Sequence, residues 1–356
     1  MSKYLSSRLS KLVPYTPGEQ PQNLSEFIKL NTNENPYFTS RYAVEKITEK
    51  EVENLRLYSD PTAKMLVDEI ANYYGFSRDN VIVSNGSDEV LAFCFKAFCD
   101  EEREICFPDI TYGFYEVYAN LMNLKVNKIP LKEDFTIDIN DYIDCGKNVI
   151  FANPNAQTGI SLSVDDIEKI VSSNSDYAVI VDEAYVDFGG ETVLPLVKKY
   201  DNLVVIRTFS KSRSLAGGRV GFAIGSKDII LDLQTVKNSF NPYNLNRLSI
   251  ICATESIKDD KYFLSCVEKI ISTRERFVKN LVELGFEVLP SKANFVMAKP
   301  TFMDAEKLYL TLKEMGVLVR YFKDNRIKDY LRISIGTDSD MDTLIEKIKL
   351  IKGSIK

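Results

Sequence analysis

The chain has 356 residues, 45% hydrophobic and 27% charged, with a formal net charge of -6. That balance describes a globular, soluble protein with material for more than one core, and it excludes a disordered chain and a basic nucleic-acid-binding surface. There is no histidine, which removes imidazole-based triads, histidine-ligated zinc sites and every histidine general base.

Proton transfer, if this is an enzyme, falls to Lys, Asp, Glu, Tyr, Cys or a cofactor. No apolar run approaches the ~20 residues of a membrane span. Residues 1–11 are basic and serine-containing but lack an apolar centre, so a secretory signal is not expected. The six cysteines, Cys94, Cys99, Cys106, Cys145, Cys252 and Cys266, show no Cys-x-x-Cys spacing and read as reduced thiols of a cytoplasmic protein.

In chain order, residues 1–30 form an arm whose Val13-Pro14-Tyr15-Thr16-Pro17-Gly18 segment cannot be a regular helix. Asn31-Thr32-Asn33-Glu34-Asn35-Pro36 is a polar turn, followed by a helical pattern over 44–55. Residues 62–75 place Met65, Leu66, Ile70, Tyr73 and Tyr74 at helical spacing and end on Gly75. Strands are then predicted at 81–84, 104–107, 148–151, 178–181, 203–206 and 220–225, with helices between most of them. Continuous apolar strands in β-loop-α units predict a parallel sheet covered on both faces.

After about residue 255 the pattern changes. A long amphipathic helix over 261–284 precedes strands at 286–289 and 293–298, a helix near 304–315, strands at 316–320 and 330–336, and a terminal helix. This is an α+β segment. The expected organisation is a large domain over 46–260 and a smaller unit made of 1–45 and 261–356.

Candidate functional residues fall just past strand ends, where open α/β sheets bind ligands. Thr208-Phe209-Ser210-Lys211 continues to Gly217-Gly218-Arg219-Val220-Gly221 and places one lysine and one arginine among small and hydroxyl residues. That composition suits a phosphate and a nucleophilic amine. Asn85-Gly86-Ser87-Asp88 lies where a strand turns into a helix, and it either caps the helix or receives a phosphate. Asp182-Glu183-Ala184-Tyr185 puts a carboxylate at a strand end, either bonded to backbone or paired with a protonated ring nitrogen. Asn155 lies in the turn 153–159, and Tyr112 follows Pro108, where its ring could stack on a ligand or pack in the core. Arg320 and Arg332 sit in short strands, where a planar guanidinium fork calls for an anion.

Together these segments resemble the fold type I pyridoxal-phosphate aminotransferases, and within them the histidinol-phosphate aminotransferase group. The similarity runs from Val13–Gly18 through Lys29–Pro36, Ser84–Glu89, Asn153–Gly159, Asp182–Phe188 and Thr208–Gly221 to Leu331–Thr337. It implies a large, doubly wound, mostly parallel α/β domain with a smaller α+β domain. Pyridoxal 5'-phosphate would be the cofactor. Lys211 would bond it covalently and move the substrate Cα proton. Asp182 would pair with the ring nitrogen, and Asn155 and Tyr185 with the phenolic oxygen. Gly86, Ser87, Asp88, Ser210 and Arg219 would line the phosphate end, while Tyr112 stacks on the ring. Tyr58 would reach the phosphate of a neighbouring subunit, making a homodimer. Arg332 and Arg320, with Tyr15 and Asn33 of the arm, would bind substrate.

The resemblance implies amino transfer from histidinol phosphate to 2-oxoglutarate. The alternatives are an aromatic or other amino-acid donor, a phosphothreonine-type decarboxylase, and a non-catalytic binding protein on the same fold. Retention of Lys211, Asp182 and Arg219 argues against the last. The chain departs from the family at Gln157, where Pro is usual, at Arg213-Ser214, where an aromatic residue is followed by Gly or Ser, and at Gly218, where Leu is usual. The loop after Pro36 is also short. Arg213 and that loop are expected near the substrate entrance.

Overall fold

The computed structural model describes residues 2–6, 9–10 and 12–355. Met1, Ser7, Arg8 and Lys11 of the basic amino-terminal stretch therefore lie outside the described residues. After β1 (Ile28–Lys29), the chain builds β2 (Val81–Asn85), β3 (Ile105–Pro108), β4 (Val126–Ile129), β5 (Asn148–Ala152), β6 (Val179–Asp182), β7 (Leu203–Thr208) and β8 (Val220–Gly225). These last seven form one sheet in the order β2-β8-β7-β6-β5-β3-β4.

Neighbours from β7 to β4 run parallel, but β8 is antiparallel to both β7 and β2. The expected parallel arrangement of residues 220–225 is corrected here. Only residues 209–219 separate β7 from β8, too few for the crossover helix that a parallel pair requires. The reversal matters for the site. It brings the start of β8, with Arg219, to the same edge as the carboxyl ends of β2, β7, β6 and β3.

Every residue of β6, β7 and β8 is buried. Val149, Val179, Val181 and Val205 face one layer with Leu66 and Ile70, whereas Ile150, Ile180, Val204 and Ile206 face the other with Leu91 and Phe95. Strand alternation between two apolar layers explains why these runs are apolar on both faces until their carboxyl ends, where Asp182, Arg207 and Thr208 appear.

The carboxyl-terminal part adds β9 (Phe286–Val288), β10 (Phe295–Pro300), β11 (Val317–Leu318), β12 (Arg320–Tyr321) and β13 (Leu331–Ser334). A four-stranded antiparallel sheet runs β12-β13-β10-β9, and β1 pairs in parallel with β11. The single strand expected over 316–320 is thus two, each serving a different sheet. Helices Asp260–Glu283, Ala305–Glu314 and Asp338–Ser354 supply Ile270, Leu308 and Leu344 to the core that Phe295 and Ile333 share. The helical pattern over 44–55 resolves into Arg41–Lys46, Glu49–Glu53 and a 3-10 turn, because Ser40 and Thr48 each cap a new start. Gly75 does end its helix, Lys64–Tyr74, in the left-handed conformation. Among the described residues, no helix is long and apolar enough to cross a membrane, and all six cysteines are free.

Candidate active site

The carboxyl edge of the seven-stranded sheet holds a cavity of about 150 Å³ bordered by Ser87, Asp88, Tyr112, Asp182, Tyr185, Ser210, Lys211 and Arg219. These residues come from five separate stretches of chain, and topology alone makes them neighbours.

One end of the cavity suits an anion. Gly86 caps helix Ser87–Phe98 at φ 77°, and a Cβ there would stand 2.4 Å from the Arg219 guanidinium. A Cβ on Gly221 would stand 2.2 Å from the Ser87 nitrogen. Glycine at both positions lets the helix start, Ser87 and Arg219 close on one another, combining backbone N–H groups, a hydroxyl and a cation. Arg219 Nη2 donates to Asp88 Oδ2 at 3.1 Å, and the Tyr112 hydroxyl donates to Asp88 Oδ1 at 2.7 Å. Asp88 therefore orients both the cation and the ring beside it.

At the other end, Asp182 closes β6 and is 3% exposed. Its oxygens accept from the Tyr115 hydroxyl at 3.0 Å and from the Ala184 N–H at 3.1 Å. Burial pushes its carboxyl up to about 6, and those two donors with nearby Lys211 oppose the rise. A buried carboxylate so placed is completed by a cation such as a protonated ring nitrogen.

Lys211 lies three residues past β7, with Nζ donating to the Thr32 carbonyl at 3.1 Å and 5.7 Å from the centre of the Tyr185 ring. No carboxylate pairs with it among the described residues. The Tyr185 hydroxyl accepts from Asn33 Nδ2 at 3.0 Å. Asn33, at φ 55°, is buried and also donates its N–H to Ser334 Oγ at 2.9 Å, so the arm is pinned between the two sheets.

Arg332 projects from β13 between the rings of Phe295 and Phe322, at 5.2 and 5.3 Å. Nη1 donates to the carbonyls of Ala156, at 3.0 Å, and of the Gln157 side chain, at 3.2 Å. Its Nε is buried without a partner. No carboxylate pairs with it among the described residues, and burial lowers its pKa from the ordinary arginine value. Arg320 holds the arm through the carbonyls of Thr16 and Pro17 at 3.1 and 3.2 Å. Tyr15 of that arm stacks on Phe114 at 4.3 Å and lies 6.4 Å from Tyr112. Burial raises its hydroxyl pKa, and the charges of Arg332 and Arg320 resist that rise.

Three expectations need separate comment. Asn155 does not border the cavity: its Oδ1 accepts the N–H groups of Gln157 and Thr158, and Nδ2 donates to the Ile110 carbonyl. One Nδ2 hydrogen is left for a ligand. Tyr58 is 81% exposed, stacked on Tyr243 at 4.6 Å and absent from the cavity of its own chain. Arg213, expected near the substrate entrance, does not border the cavity. Its buried guanidinium lies 3.9 Å from the centre of Phe263 and 5.1 Å from that of Tyr73, donates to the Ser256 carbonyl at 2.7 Å and stands 3.8 Å from the Asp260 carboxylate, so rings and an ion pair hold it inside the protein.

Two features escaped the sequence reading. Tyr115 is fully buried and supplies the side-chain donor to Asp182. Behind Lys211, buried Arg207 pairs with Glu183, at 3.3 Å, and with Asp187, which accepts the Ser212 hydroxyl at 2.5 Å. The available signal was an arginine inside the otherwise apolar β7.

The donor set tests well against pyridoxal phosphate: an anion cradle that a Cβ would fill, a buried carboxylate lacking a cation, and an amine lacking a carboxylate. The family model of class I and II aminotransferases matches residues 25–348. The histidinol-phosphate aminotransferase of Brachyspira hyodysenteriae is 52% identical over 352 residues, 99% of each chain. That of Clostridium acetobutylicum is 50% identical over 349 residues, covering 98% of this chain and 99% of the relative. The crystal structure of histidinol-phosphate aminotransferase from Sinorhizobium meliloti in complex with pyridoxal-5'-phosphate has the same fold, with a TM-score of 0.87, 20% identity and full coverage of both chains. A family model matched over most of the chain and relatives matched end to end lead to one conclusion: this chain belongs to the class I and II aminotransferase family.

Proposed function

We propose that the protein is a pyridoxal-phosphate-dependent aminotransferase that moves an amino group from histidinol phosphate to 2-oxoglutarate, forming imidazole acetol phosphate and glutamate by a ping-pong cycle. The observation that carries this reading is the meeting of an unpaired Lys211 amine and a buried Asp182 carboxylate in one cavity. The full-length relatives at about half identity support the substrate choice.

When bound, the cofactor supplies an electron sink for the carbon that loses its proton. Arg219, Ser87, Gly86 and Ser210, beside Asp88, would hold its phosphate. Asp182 would hold the ring nitrogen protonated, Tyr185 and Asn155 would face the phenolic oxygen, and Tyr112 would cover the ring. Lys211 Nζ takes the proton from the substrate Cα and releases it later in the cycle. Tyr185 and Thr32 keep that amine close to the reacting carbon. Arg332 receives the glutamate carboxylate or the substrate phosphate, with Arg320, Tyr15 and Asn33 forming the arm side of the pocket.

Tyr58 would complete the phosphate end of a second subunit in a homodimer. Its exposure, with exposed Val52, Leu55 and Leu57 nearby, supports this. Residues 46–260 would form the large domain, and 1–45 with 261–356 the small one, in a cytoplasmic enzyme. The apolar core around β10–β13 draws most of its residues from 261–356, although Ala152, Ala156, Tyr185 and Phe188 join it, and this supports that division.

An amino-donor panel with 2-oxoglutarate tests the reading. Histidinol phosphate is expected to give the highest kcat/KM, with stoichiometric glutamate and no CO2. A faster aromatic amino acid would overturn the substrate, and CO2 release would overturn transamination.

A further inference from the structure

Arg332 is an unusual cation because neutral carbonyls hold it. Nη1 donates to the Ala156 backbone and to Gln157 Oε1, and no carboxylate offsets its charge among the described residues. Arginine offers only donors, so the Gln157 carboxamide has one allowed orientation. Its oxygen must face Arg332 and its nitrogen must face away. That Nε2 has no hydrogen-bond partner among the described residues, and Gln157 is only partly buried.

The loop carrying Gln157 is held by other atoms. Asn155 Oδ1 accepts the Gln157 and Thr158 N–H groups at 2.8 and 3.1 Å. Gly159 adopts φ 78°, where an added Cβ would stand 2.4 Å from Ser291 Oγ. The Gln157 side chain therefore contributes little to the loop's own shape, and its functional contribution lies toward Arg332.

We infer that Gln157 determines specificity in the substrate-anion subsite: Oε1 orients the Arg332 guanidinium without neutralising it, and Nε2 donates to the carboxylate or phosphate oxygen bound there. This rests on the reading above that Arg332 receives an anionic group of the substrate. An acid at the same position would pair with Arg332 and repel that group, whereas an amide orients it and adds a donor.

The test uses cofactor-loaded native, Gln157→Leu and Gln157→Glu proteins, following the half-reaction with glutamate by visible absorbance. Gln157→Leu is expected to raise the half-saturating glutamate concentration about tenfold, the loss of a hydrogen bond to a charged group, with little change in limiting rate. Gln157→Glu is expected to raise it further, by roughly a hundredfold, because the new carboxylate competes for Arg332. Cofactor affinity and Tm should match the native protein in both. Half-saturation within about twofold of native for Gln157→Leu, or a loss confined to the limiting rate, would overturn the inference. So would Gln157→Glu binding glutamate as well as Gln157→Leu does. If the leucine variant fails to fold, Gln157→Ala carries the same expectation. Native protein that glutamate does not convert would instead overturn the aminotransferase reading itself.

Discussion

At the scale of single residues, Asp182 shows how burial and function pull in opposite directions. Raised to about 6 from an ordinary carboxylate value near ~3.9, it penalises the empty folded protein by about 3 kcal/mol once ionised. The folded state binds its proton more tightly than the unfolded chain does. The penalty is therefore absent below about pH 4, grows as pH rises toward 6, and is complete above that. Cofactor-free Asp182→Asn protein should be more heat-stable than native protein at pH 8, with the gap closing toward pH 4, as measured by thermal unfolding across pH. The same variant should bind pyridoxal phosphate more weakly, since the neutral amide cannot pair with a protonated ring. Asp182 was legible in the sequence because a carboxylate ends an apolar strand. Tyr115 was not, because a tyrosine inside a helix carries no mark of the side chain it will meet 67 residues away.

At the scale of elements, the decisive feature is the reversal of β8. It sets Gly221 against the start of helix Ser87–Phe98, with no space for a side chain. Gly221→Ala should lower Tm by several degrees, the result expected of overpacking by about 1–3 kcal/mol, and should weaken cofactor binding through Ser87. Gly217→Ala, where an added Cβ meets nothing within 4 Å, is the matched control and should leave both unchanged. Strands with continuous apolar runs were readable from composition. The two-residue strand β1 was not, since it exists only through its pairing with β11. Arg213 likewise was expected near the substrate entrance from its place beside Lys211, but packing against Phe263 decided which way it points.

At the scale of the whole molecule, the homodimer proposal makes a prediction that no single-chain site would satisfy. Lys211→Ala and Tyr58→Ala proteins should each have little activity. Denatured together and refolded as a mixture, they should regain part of it, because a mixed dimer holds one site with both native residues. If Tyr58 served its own chain, every mixed dimer would carry one defect in each site and no activity would return. The steady-state rate of the refolded mixture, against each variant refolded alone, separates these cases.

Sequence by itself determined the parts: apolar strands of a covered sheet, a glycine where a strand turns into a helix, a lysine and an arginine among small residues, and the absence of histidine that left few other catalysts. These are local properties, written in neighbouring residues and in what each side chain can chemically do. Tertiary structure alone decided which parts meet. Asn33 bonds Tyr185 across 152 positions, and Arg332 rests on Gln157 across 175. Such contacts follow from strand order and the burial of two cores, and no local pattern in the chain records them.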